Sequence, residues 1–260
     1  MSCSIFIDDI YHQQFGKKNH YKKNHELLKF QKDLLKTYNQ VLEEKSLEQG
    51  LQNCFIKMGE SLINDLSSDL TKIDLFLLAH DTPDLDPSQS VVNFLTDKYN
   101  LNGLCFAMSD YGKNIGVGAI RIASEILQSS NCQKALVMVL DQNTIPSIEL
   151  NKNDYIDAGL AVLLSKREKS KSILIKGHEQ YYFSYKPSLE KVIETFATED
   201  ILILNNLEKL EEHKQKYRSS QTLFELSNQI FKESYPSGTP FCLAQFDTDI
   251  NKLDILKLQF

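Results

Sequence analysis

The chain has 260 residues, 42% of them hydrophobic, enough to bury a core as one large domain or as two fused halves. A formal net charge of −6 and a pI near 5.6 exclude the basic surface that general nucleic-acid binding requires. No apolar run approaches the roughly 18 residues of a membrane span, and no basic start leads into an apolar signal core, so the expectation is a cytoplasmic protein that engages neither nucleic acid nor membrane.

The first element is a short strand over Cys3 to Ile7. From Lys17 to Lys36 there are seven lysines against two acids, with Leu27, Leu28, Leu34 and Leu35 at helical spacing. That pattern predicts a solvated surface helix; a lysine patch of this kind also suits an acidic carrier or a phosphate. Ser46 to Leu66, with Leu47, Leu51, Phe55, Met58 and Leu62 along one side, predicts a longer helix. Ile73 to Ala79 is nearly all apolar, as in a strand covered on both faces. The loop DTPDLDPS follows, and a helix opening at Pro87 or Ser88 runs to Tyr99.

The alternation continues with strand Leu104–Met108, helix Ile115–Ser129 and strands Ala135–Leu140 and Ala158–Leu164. Strands alternating with helices of this length predict α/β layering around a largely parallel sheet. Beyond Lys166 the signal thins. Strands are expected at Ser172–Ile175 and Ile201–Leu204, a helix at Thr222–Glu233, and a hairpin of Phe241–Phe246 with Lys252–Gln259 across DTDIN. Residues 1–166 and 167–260 therefore read as a full and a trimmed half of one domain, with no low-complexity linker between them.

Few motifs carry chemistry. Gly116-Val117-Gly118 lacks the third glycine of a dinucleotide fingerprint, Arg121 standing in its place, so the glycines are read as close-packing positions in a buried helix. The six histidines form neither an HExxH motif nor a zinc spacing, and no metal or cofactor is expected. His80 follows a buried strand, where α/β folds place their sites, but its neighbour Asp81 should point the opposite way. The five cysteines form no CxxC pair and are expected reduced, with Cys54, Cys105 and Cys242 acting as small buried hydrophobes. The segment FAMSDYGKNIGVGAIRIASEIL, from Phe106 to Leu127, has the shape of a strand–turn–helix that presents a nucleophile, yet the turn from Ser109 to Asn114 contains no cysteine.

Five pieces in order resemble the ketoacyl-ACP synthase III-type condensing enzymes of the thiolase-like superfamily. They are KIDLFLLAHDTPDLDPSQSVVNFL, the strand Leu104–Met108 with its turn, the helix ending RIASEIL, the strand KALVMVL, and DAGLAVLLS, which keeps Asp157, Ala161 and Val162 of the family's D-G-A-G-A-V strand. The resemblance covers Lys72 to Ser165. It implies a thiolase-like fold of two pseudo-repeated α/β halves in α-β-α-β-α layers, with the second half shortened here. Such enzymes use a cysteine at the helix N-terminus, where the dipole favours a thiolate, aided by a histidine and an asparagine from the other half. Carried over, those positions fall at Lys113, Asn205 and Ser220, and all three are vacant. No tryptophan is present, and the family's W-I-x-x-R-T-G-I stretch has no counterpart.

The resemblance extends, in the shortened second half and a FELSNQI-type helix before two final strands, to the cysteine-less small subunit of heterodimeric alkylquinolone-forming condensing enzymes. It implies a non-catalytic subunit paired with a ketoacyl synthase III-like catalytic subunit, as heterodimer or heterotetramer, in a specialised or secondary-metabolite pathway. Acyl-carrier protein or acyl-CoA would be met through that partner. The partner-facing strand would be Leu104, Cys105, Phe106, Ala107 and Met108, since thiolase-like dimers pair this strand across the two-fold. Two alternatives stand beside this reading. One is a self-sufficient acyltransferase using Ser109, Cys105 or Lys113 as a displaced nucleophile, with Lys113 otherwise solvated or facing an anion. The other is a homodimeric acyl-binding protein.

Overall fold

The computed structural model describes residues 4–18, 23–37, 39–66, 70, 72–144, 155–185, 188, 202–205, 217–232 and 235–260. Nine strands form one sheet: β1 (Ile5–Gln14), β2 (Leu75–Ala79), β3 (Leu104–Met108), β4 (Lys134–Asp141), β5 (Ala158–Ser165), β6 (Ile173–Tyr182), β7 (Leu202–Asn205), β8 (Pro240–Asp247) and β9 (Lys252–Gln259). Their order is β3-β2-β4-β5-β1-β6-β9-β8-β7. The helices are α1 (His25–Thr37), α2 (Glu44–Gln49), α3 (Phe55–Asp65), α4 (Val91–Tyr99), α5 (Ile115–Ser129) and α6 (Gln221–Lys232).

The two halves repeat one plan. β2 runs parallel to β4, which pairs antiparallel with β5, and β5 pairs antiparallel with β1. In the second half β7 runs parallel to β8, β8 pairs antiparallel with β9, and β9 pairs antiparallel with β6. Only β3, parallel to β2 at one edge, has no counterpart among the described residues. The sheet is therefore mixed rather than largely parallel. β5 and β9 each run antiparallel to the strand before them in the chain, β4 and β8.

Residue alternation sorts the sheet into faces. Leu75, Leu77, Val137, Val139, Leu160, Val162, Leu243 and Leu256 point inward onto α5 and α6, and form one core with Val117, Ile120, Ala123, Leu223 and Leu226. Phe76, Leu78, Leu136, Met138 and Leu163 point the other way and pack under α3 and α4. On the outer face of the second half, Cys242, Ala244, Phe246, Leu253 and Ile255 are also buried. The layers are thus helix, the first half of the sheet, helix, and the second half of the same sheet; the segments between Tyr182 and β7 and between β7 and α6, which the fifth layer would draw on, lie mostly outside the described residues. Asp8 is an extra residue in β1, where the register to β5 shifts between Ile7 and Asp9. That bulge changes the strand's parity, so Ile5, Ile7 and Ile10 all face the central core.

Two helix expectations change. The segment Ser46–Leu66 is not one helix but α2 and α3, broken at residues 50–54. There Leu51 N donates to Asn143 Oδ1 (3.0 Å), Gln52 N donates to Thr144 Oγ1 (2.9 Å), and Gln52 takes a φ of 63°. Tertiary acceptors have displaced the helical ones. In α1, Leu28 and Leu35 are buried as the spacing implies, whereas Leu34 and Phe30 face solvent. No helix among the described residues is long and apolar enough to cross a membrane.

Candidate functional site

The C-terminal ends of β2, β3, β4, β7 and β8 and the N-terminal ends of α5 and α6 meet at one end of the molecule. This is where parallel α/β layers place their sites. β3 delivers the chain into the turn Ser109–Asn114, whose last three residues form a single 3-10 turn before α5. Gly112 is required there: its φ is 73°, and a Cβ would lie 2.1 Å from Asp247 Oδ2.

Lys113 is buried rather than solvated, and of the two expectations for it the anion-facing one describes its surroundings. Its backbone N donates to Asp247 Oδ2 (2.6 Å), and its Nζ donates to Asp249 Oδ1 (3.0 Å) and Thr248 Oγ1 (3.3 Å). Its carbonyl accepts a hydrogen bond from Gln245 Nε2 (2.6 Å), and the same nitrogen lies 3.3 Å from the carbonyl of Ser219. One amide thus bridges the entry to α5 and the entry to α6. The glycines of α5 serve this approach: a Cβ on Gly116 would lie 2.8 Å from the Ser219 carbonyl, and one on Gly118 would lie 2.5 Å from the Tyr111 ring.

The entry to α6 is closed in the same manner. Ser219 N donates to Asp141 Oδ1 (2.9 Å) and Oδ2 (3.0 Å), and Ser220 donates to Asp141 Oδ2 through both N (2.9 Å) and Oγ (2.6 Å). Asp141 is fully buried, which pushes its carboxyl up, against the pull of those four bonds. Asp141 is the last residue of β4 and Asp247 the last of β8, strands that correspond in the two halves. Lys113 and Ser219 each stand two residues before their helix. Each half therefore sends an aspartate from the end of its own strand onto the helix entry of the other, where the unpaired N–H groups and the helix dipole attract a negative charge.

Beside the α5 entry lies a second buried cluster. Asp254 accepts from Asn114 Nδ2 (2.7 Å) and Gln180 Nε2 (2.6 Å), pairs ionically with Lys252 Nζ (3.2 Å), and has His178 Nε2 3.1 Å away. Burial alone would raise this carboxyl, but the hydrogen bonds from His178, Gln180 and Asn114 and the charge of Lys252 together hold it below the usual range. The Lys252 Nζ also sits 3.4 Å from the Tyr111 ring centre.

The three positions carried over from the condensing enzymes converge at this end. Lys113 and the residue before Ser220 share the Gln245 amide, and Asn205 pairs with Ala244, next to Gln245, on the adjoining strand. The other sequence candidates lie apart. Ser109 is exposed and donates to its neighbour Asp110 (2.9 Å), with no histidine bonded to it among the described residues. Cys105 packs toward α3 and α4, its Sγ 3.4 Å from the Gly103 carbonyl, on the opposite face of the sheet from α5. His80 and Asp81 do not cooperate: His80 Nδ1 lies 2.8 Å from the Thr82 carbonyl, and Asp81 pairs with Arg218. Burial pushes the His80 imidazole below its usual range. The four described cysteines are all free thiols, and no group of three metal-ligating side chains occurs among the described residues.

Sequence reasoning missed Asp141, Asp247, Gln245 and Asp254. A signal was present, since KALVMVLD and PFCLAQFD are both apolar strands that close on aspartate. An acid ending two equivalent buried strands needs a buried partner.

This arrangement of halves and layers is the thiolase-like fold of condensing enzymes. AbyA1, a tetronic acid condensing enzyme, matches with a TM-score of 0.67 at 11% identity, over 98% of this chain and 100% of its own. OleA of Xanthomonas campestris, in the structure of a point variant, matches at 0.65 and 12% identity, over 99% and 98%. The C-terminal type III polyketide synthase domain of Steely1 from Dictyostelium matches at 0.65 and 13% identity, over 98% and 99%. By sequence, no family model and no curated protein matches the chain.

Proposed function

We propose that the chain is a non-catalytic member of the thiolase fold that pairs with an active ketoacyl synthase III-like condensing enzyme, supporting acyl condensation in a specialised pathway. The observation that carries this reading is the closure of both helix entries by the chain's own carboxylates, Asp247 before α5 and Asp141 before α6. An acyl-transfer site needs those N–H groups for a thiolate or an oxyanion. Here they are already taken, by groups of the same charge as the reacting species.

What the fold leaves open is β3. It is an edge strand of sequence LCFAM, with none of the lysines, prolines or bulges that blunt an edge, and Leu104 is 53% exposed. Leu104 N donates to the Asp74 carbonyl and the Met108 carbonyl accepts from His80 N, so residues 104, 106 and 108 turn their peptide groups toward β2. Cys105 and Ala107 turn theirs outward, ready for a further strand. In the proposed complex that strand belongs to the catalytic subunit.

Co-expression with a full-length ketoacyl synthase III-like condensing enzyme from the same organism tests the reading. The expected product is a stable complex that Ala107→Pro disrupts, because proline removes an outward N–H while leaving the β2 ladder intact. A soluble homodimer that takes up an acyl group from acyl-CoA, seen by intact mass and abolished at Ser109, Cys105 or Lys113, would overturn it.

A further inference from the structure

The buried clusters at the helix entries leave a separate groove unexplained. It opens between the outward face of α5 and β6 and has a volume of about 360 Å3. We propose that this groove binds a small organic acid, with its carboxylate on Arg121 and a short apolar tail along β6. The proposal is independent of the partner reading.

Three observations lead to it. First, the Arg121 side chain lines the groove and is 26% exposed; its Nη1 donates to Glu125 Oε1 (3.1 Å), while Nε is buried and the Tyr111 hydroxyl lies beside the guanidinium. A carboxylate is the acceptor that fits the exposed edge of that planar fork. Second, β6 carries a bulge at Lys176, where its register to β9 shifts between Ile175 and Gly177. Bulges bend a strand and re-aim its side chains, often next to sites. Third, no atom lies within 4 Å of where a Gly177 Cβ would stand, and Gly177 does not have a positive φ. Neither packing nor backbone geometry demands glycine there; its missing side chain is what keeps the groove open.

The chemistry of the walls sets the ligand class. Arg121 and Lys176 outnumber Glu125, the one acid in the lining. His178 lines the same groove with its Nε2 tied to Asp254, which fixes the ring. Half-buried Ile175 supplies an apolar wall. An anion alone would leave that wall unused, so the site suits a carboxylate with a few attached carbons.

The test is an NMR titration of the full chain, or of its complex if the chain is purified as one, following the Arg121 Nε–Hε and Gly177 amide signals. Hexanoate is the probe, with inorganic phosphate and chloride at equal ionic strength as the other arms. The expected result is a saturable shift with hexanoate at about millimolar Kd, the range open to a ligand of about eight heavy atoms. Gly177→Leu should weaken it at least tenfold with an unchanged melting temperature. Arg121→Met, read at Gly177, should do the same. No saturable shift, equal responses to phosphate or chloride, or unchanged binding in Gly177→Leu would each overturn the proposal.

Discussion

The crossed aspartates make a quantitative prediction. Asp141→Ala would strand three donors, Ser219 N, Ser220 N and Ser220 Oγ, all in residues no more than 2% exposed. Each buried donor left unpaired costs about 1–3 kcal/mol. Removing a desolvated carboxylate returns part of that, because burial already works against its charge. A net loss of about 2–5 kcal/mol remains. Asp247→Ala strands fewer groups: Lys113 N loses its 2.6 Å bond and Asp249 N its 2.8 Å bond, the latter at a part-exposed turn. Its loss should be about half as large. Urea unfolding monitored by circular dichroism gives both numbers as shifts in midpoint at constant m-value. The double variant should depart from additivity, since both helix entries lean on the Gln245 amide. An Asp141→Ala loss below about 1 kcal/mol, or a larger loss from Asp247→Ala, would refute the claim that these carboxylates fix the two helix entries.

Two further outcomes can be checked. Gly116→Ala should destabilise by about 1–2 kcal/mol, because pressing a methyl against the Ser219 carbonyl outweighs the gain of about 1 kcal/mol in helix propensity; unchanged chemical denaturation would contradict the close approach of the two helix entries. Asp157 accepts from Asn143 N (2.6 Å) and Asn53 Nδ2 (2.9 Å), yet burial pushes it from 3.8 up to about 6. Because the folded value is raised, its contribution is fully present below about pH 4 and is lost as the pH rises through about 6, a swing on the order of 3 kcal/mol. Melting temperatures of wild type and Asp157→Asn between about pH 4 and 7.5 should therefore diverge across that window, and parallel curves would exclude the linkage.

The sequence by itself determined the elements and the order in which they occur. Alternating apolar strands and helices placed β3, β4, β5 and α5 within one residue, and set the C-terminal ends of β2 and α4, which begin at Leu75 and Val91 rather than at Ile73 and Pro87 or Ser88, because those segments bury complete faces and their hydrophobic period is set by that burial. The hairpin of β8 and β9 was legible from two apolar runs around DTDIN, and the closely packed helix from Gly116 and Gly118. Local signals did not extend to pairing direction or to buried polar partners. Nothing in KALVMVL says that β4 lies parallel to β2 but antiparallel to β5, since both faces of the strand are apolar and either pairing buries them. The break at residues 50–54 depends on Asn143 and Thr144, which stand far along the chain. Whether Lys113 is solvated or faces an anion stayed open in the sequence because its counter-charges, Asp247 and Asp249, arrive from the far end of the chain. Charge placement of this kind is a long-range property: an aspartate at a strand end has no local mark to show which helix it will cap. That the turn lacks a cysteine could be read from the residues; that both helix entries are filled by aspartates of the opposite half was decided only when the halves closed on each other.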